Sequence, residues 1–119
     1  MNIAQEKQSG VVVIKPEGRI DAVESPALEK LVLGVIERGD ARLVMDLSAV
    51  PYISSRGLRV VLLGAKQAIA AGGTLAVCSP QVFVRKVFQS IGFEEIIGIF
   101  NTVGEAVDSF GGIEGKESG

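Results

Sequence analysis

No histidine occurs in the 119 residues, and that absence removes at once the commonest general base near neutral pH and the commonest metal ligand. Histidine-dependent triads and ordinary zinc sites go with it, so neither metal nor cofactor is expected. The single cysteine, Cys78, cannot close an intramolecular disulfide and is read as a free thiol in a reducing compartment. No apolar run reaches the roughly 18 to 20 residues that cross a bilayer, and Met1 to Gly10 lacks the apolar core of a signal peptide. The expected location is the cytoplasm, without membrane insertion. Basic clusters are missing too: 12 Lys and Arg stand against 14 Asp and Glu, for a net charge of -2. A nucleic-acid partner is therefore disfavoured. Gly72-Gly73 and the tail glycines have neither the spacing nor the lysine of a phosphate-binding loop.

What is present is one domain's worth of apolar sequence. Apolar residues make up 47% and charged residues 22%, a globular composition, and a chain of this length buries about two thirds of its unfolded surface in one core. Val11 to Ile14 is β-branched, too short for a helix and closed by Pro16 and Gly18, so it reads as a buried strand. The more polar segment Ile3 to Gln8 joins it through Ser9-Gly10 as an edge strand in a hairpin. Ser25-Pro26 marks a helix start, and Leu28, Leu31, Val32, Val35 and Ile36 recur at helical spacing until Gly39. Arg42 to Leu47 reads as a central strand. Leu58, Val61, Leu62, Ala65 and Ile69 give a second helical face that ends at Gly72-Gly73, with Ser54 and Ser55 before its first turn. Thr74 to Cys78 is the next strand. Ser79-Pro80 repeats the cap signal before Val84, Val87, Phe88 and Ile91, and Ile96 to Phe100 supplies a last strand. Thr102 with Glu105 forms a capping box for a short fourth helix.

This alternation predicts an α/β fold: a single mixed, mainly parallel sheet of four to five strands with about four helices, over residues 1–110. Residues 111–119 are expected to be a flexible tail. Val12, Ile14, Val44, Met45, Leu75 and Val77 are the predicted sheet core.

Sites in such folds gather in loops after the carboxyl ends of parallel strands. The distinctive loop runs from Asp46 to Gly57. In Tyr52-Ile53-Ser54-Ser55-Arg56-Gly57-Leu58, two hydroxyls sit where a helix exposes unpaired N–H groups and the positive end of its dipole, which favours anions. Either serine could equally be a simple helix cap, as Ser25, Ser79 and Thr102 are read to be. Cys78 at a strand end has no histidine to activate it and reads as a small core hydrophobe.

Asp46-Leu47-Ser48, Tyr52 to Leu58, and the earlier Gly18-Arg19-Ile20-Asp21 together resemble the anti-sigma factor antagonists. These are STAS domains, shared with sulfate transporter tails and typified by the stage II sporulation anti-anti-sigma proteins. The resemblance covers nearly the whole chain. It implies that Ser55 is a phosphate acceptor, with Ser54 as the alternative, and that Asp21, Ser54, Ser55, Arg56 and Gly57 meet a partner. Ser54 stands where the family often has Asp, and Arg56 where it often has a second Ser. The implied partner is an anti-sigma serine kinase of the histidine-kinase-like ATPase fold, which supplies the ATP. A serine phosphatase would act on the phosphorylated form. Asp46 shapes the kinase contact in this resemblance, or else caps its loop, and Arg56 pairs with Asp21 or with the phosphate. The competing functions are a constitutive STAS scaffold in a lipid-transport or signalling complex, and a small enzyme, for which no convergent acid and base are present.

Overall fold

The computed structural model describes residues 1–118, with side chains through Phe110. The described residues form strands β1 (Asn2–Gln8), β2 (Val11–Glu17), β3 (Arg42–Asp46), β4 (Thr74–Cys78) and β5 (Ile99–Phe100), and helices α1 (Ser25–Glu37), α2 (Ser55–Ala70), α3 (Val82–Ser90) and α4 (Val103–Ser118). The tail expected over 111–119 lies outside the residues whose side chains are described. The sheet order is β1-β2-β3-β4-β5. β1 and β2 are antiparallel, and every later pairing is parallel. Ser9 (φ 52°) and Gly10 (φ 80°) are both left-handed, as a two-residue hairpin between twisted strands requires.

Sequential strand order decides where the helices go. Each β-α-β crossover is right-handed, so three in a row from β2 across to β5 put α1, α2 and α3 on the same face. Their core holds Val12, Ile14, Leu43, Met45, Leu75 and Val77 from the strands. Alternate residues Val11, Val13, Val44, Ala76 and Cys78 point the other way and pack against Ala106, Val107 and Phe110 of α4. Burial on both faces explains the unbroken VVVI run. All six residues predicted for the sheet core are buried.

Three local expectations are corrected. The buried stripe of α2 is Gly57, Val60, Val61, Gly64, Ala65 and Ala68, whereas Ile69 is 53% exposed. The stripe follows small residues because α1 and β4 approach closely: a Cβ on Gly64 would lie 2.9 Å from Val32 Cγ1. Ser79 does not cap α3. Its backbone is left-handed (φ 54°), its hydroxyl donates to the Asn101 carbonyl (3.0 Å), and α3 begins after Gln81 with no side-chain cap. The last strand is two residues long, because Phe93–Glu95 forms a 3-10 turn that leaves Ile96 exposed and Ile97 buried.

Cys78 is fully buried. Burial, helped by the nearby Asp46 charge, pushes its thiol up to about 11. At pH 8 only about one thiol in a thousand is then thiolate. Iodoacetamide should leave the native protein unmodified at pH 8 and alkylate Cys78 completely in 6 M guanidinium, as read by mass spectrometry.

Candidate functional site

The site is built where residues 18–21 lie against residues 52–54. Ile20 and Ile53 form an isolated parallel bridge: Ile20 N–H donates to the Tyr52 carbonyl (3.0 Å), and Ser54 N–H donates to the Ile20 carbonyl (2.9 Å). Gly18 N–H donates to Ala49 (2.9 Å). These bonds carry the Asp21 loop to the start of α2, which sequence proximity alone would not do.

Gly57 makes the approach possible. A Cβ there would stand 2.7 Å from both Ile20 Cγ2 and Ile53 Cγ1 and 2.9 Å from the Ile20 carbonyl oxygen. Two neighbouring serines then divide the work. Ser54 is the N-cap, its hydroxyl accepting from Gly57 N–H at 3.2 Å. Ser55 is the first helical residue, exposed, and its hydroxyl has no hydrogen-bond partner among the described residues. Ser54→Ala should therefore cost about 1 kcal/mol of stability (range ~0.5 to 2). Ser55→Ala should stay within about 0.5 kcal/mol of the parent. Urea denaturation of the two variants side by side checks both.

Asp21 is held by its own loop: its carboxylate accepts from Val23 N–H (3.1 Å) and Glu24 N–H (2.9 Å). The Ser25 hydroxyl, expected as a cap, instead donates to the Asp21 carbonyl (2.5 Å), and Glu24 is the N-cap of α1. Arg56 is exposed and makes no ion pair with Asp21, whose two backbone donors both go to Oδ1. Asp46 is not brought to the serines. Sheet alternation turns it to the α4 face, where it lines a cleft of about 360 Å³ with Lys15 and Val103, and its carboxylate accepts from Ser48 N–H (3.0 Å). The loop-capping alternative is the one its hydrogen bond fits.

Other surface features here were not read from the sequence. Ser55 borders a groove of about 240 Å³ lined by Leu58, Arg59, Leu62, Ile91, Phe93 and Ile96. Ile91 and Ile96 are more than half exposed. Along the same edge, Arg19 lies 4.1 Å from the Tyr52 ring centroid, and Tyr52 stacks on Phe83 with centroids 5.7 Å apart. Helical periodicity marks apolar positions but not which of them stay uncovered, so the groove was not legible beforehand. Among the described residues no cluster of side chains suits a metal ion, and no helix is long and apolar enough to cross a membrane.

Residues 2–106 match the STAS domain family. BtrV of Bordetella bronchiseptica, a candidate anti-sigma factor antagonist, is 34% identical over 110 residues, spanning 92% of this chain and 95% of that protein. The crystal structure of an anti-sigma factor antagonist from Mycobacterium paratuberculosis is 27% identical and superposes with a TM-score of 0.83 over 91% of this chain and 92% of that one. The anti-sigma factor antagonist SpoIIAA of Bacillus, at 24% identity, shares the fold in its unphosphorylated form with a TM-score of 0.81 over 93% and 97% of the two chains. Its phosphorylated form has also been solved and gives a TM-score of 0.73 at 22% identity, over 92% and 99% of the chains. A match over most of the length, joined to a relative 34% identical along nearly all of both chains, places the assignment beyond the fold alone: the chain belongs to the STAS domain family, the family of the anti-sigma factor antagonists.

Proposed function

We propose that this chain is a non-enzymatic, cytoplasmic anti-sigma factor antagonist switched by phosphorylation of Ser55. The observation that carries the reading is the division between the adjacent serines. Ser54 spends its hydroxyl on the helix cap, while Ser55 offers an exposed one. The unmodified chain binds an anti-sigma serine kinase of the histidine-kinase-like ATPase fold and so frees the sigma factor that the kinase holds. The kinase transfers the γ-phosphoryl group of ATP to Ser55 Oγ, releasing ADP. The product carries about -1.5 to -2 charges at neutral pH, tolerated within this domain by the helix N-terminus but disruptive in a close interface. A serine phosphatase restores the binding form. Relatives named as anti-sigma factor antagonists support the partner class, and the apolar groove beside Ser55 is a surface such a partner could cover.

Reaction with ATP and the serine kinase encoded nearest the gene, followed by peptide mass spectrometry, tests the acceptor. One phosphate on Ser55 is expected in the parent and in Ser54→Ala, and none in Ser55→Ala. Phosphate on Ser54, or unchanged incorporation in Ser55→Ala, would sink the assignment.

A further inference from the structure

Arg59 faces two grooves. It lines the apolar groove that Ser55 borders and a second one of about 370 Å³ between α1 and α2, shared with Glu29, Lys30, Arg56 and Val60. Ion pairs such as Lys7–Asp40 and Arg38–Asp40 lie elsewhere, and neither Arg59 nor its cationic neighbours Lys30 and Arg56 has an ion-pair partner among the described residues. Glu29 lines the second groove without pairing to any of them. Arg59 follows Ser55 by four residues within α2, which stacks the two side chains one helical turn apart, with Cβ atoms about 5 to 6 Å from each other. Arg56, one residue on from Ser55, projects from a different part of the helix surface.

We propose that, once Ser55 is phosphorylated, Arg59 binds the phosphate within the same chain and holds it over the groove lined by Leu58, Leu62, Ile91 and Ile96. The inference rests on Ser55 as the acceptor and states how this particular chain handles the product. A guanidinium presents a planar fork of donors that matches phosphate oxygens two at a time. No carboxylate has to be displaced first. Drawn back along α2, the phosphate covers an apolar surface with negative charge instead of standing out into solvent. Arg59 then leaves the second groove, so one modification alters both surfaces.

Phosphoserine placed at position 55 during translation tests this without any kinase. An adjacent cation favours the dianion over the monoanion, so it lowers the second phosphate pKa. In a phosphorus NMR titration, the midpoint of the parent should lie about 0.15 to 0.4 pH unit below that of Arg59→Gln. Arg59→Lys should keep part of the shift, and Arg56→Gln all of it. The Arg59 Nε–Hε resonance should also move between the unmodified and phosphorylated parent, a readout that needs no variant to fold. Equal midpoints for the parent and Arg59→Gln, a loss in Arg56→Gln as large as in Arg59→Gln, or an unmoved Nε–Hε signal would each overturn the clamp. Because no kinase takes part, those results count against Arg59 whatever the acceptor assay gives. A kinase that ignores Ser55 counts against the acceptor whatever the titration gives.

Discussion

Gly57→Ala is expected to lower the melting temperature by roughly 4 to 15 °C, the consequence of about 1 to 3 kcal/mol of overpacking. The added methyl would meet Ile20 Cγ2 and Ile53 Cγ1 at 2.7 Å. Those side chains are 0% and 3% exposed, so neither has free space to turn into. The third contact, the Ile20 carbonyl oxygen at 2.9 Å, is backbone and already accepts from Ser54 N–H. Relief therefore requires the first turn of α2 to move away from the Ile20–Ile53 bridge, which carries Ser54 and Ser55 with it. Loss of stability and loss of partner binding should appear together in this variant. Differential scanning calorimetry giving a transition within a degree or two of the parent would show that the close approach is not rigid.

The second large effect concerns affinity. Phosphorylation of Ser55 is expected to weaken binding to the cognate kinase by more than tenfold, each factor of ten corresponding to about 1.4 kcal/mol. Ser55→Asp adds about one charge where phosphate adds about -1.5 to -2, so its dissociation constant should fall between those of the parent and the phosphorylated protein. Ser55→Ala should bind as the parent does but stay bound in the presence of ATP, because it can no longer be modified. The cap belongs to Ser54, so none of these changes removes the helix N-terminus. Calorimetric titration of the four forms measures the series, and equal constants throughout would end the switch.

The elements that were legible in the sequence are those governed by local chemistry. Ser9-Gly10 specified a hairpin because a two-residue turn needs left-handed backbone there, and both residues adopt it. Thr102 caps the helix as expected, with Glu105 N–H donating to Thr102 Oγ1 (3.1 Å), but the return bond of a full capping box goes one residue further back than the cap. The Glu105 carboxylate reaches back to Asn101 N–H (3.3 Å). Ser79-Pro80 carried the same apparent cap signal as Ser25-Pro26, yet neither serine caps. Each hydroxyl donates to a backbone carbonyl, that of Asn101 for Ser79 and that of Asp21 for Ser25. A cap motif names residues able to bond a helix end, but tertiary partners compete for the same hydroxyl.

By itself, then, the sequence determined the α/β alternation, the strands buried on both faces and the serine-glycine loop as the place to look, since all three depend on periodicity and on residue types close along the chain. Tertiary structure decided which serine caps and which is free, because that turns on where Gly57 N–H points once α2 is pressed against Ile20 and Ile53. It also sent Asp46 to the α4 face, away from the serines, since each step along β3 reverses the side-chain direction. Only packing left Ile91 and Ile96 uncovered beside Ser55. Exposure is a property of what lies across the gap, and residues distant in sequence supply it.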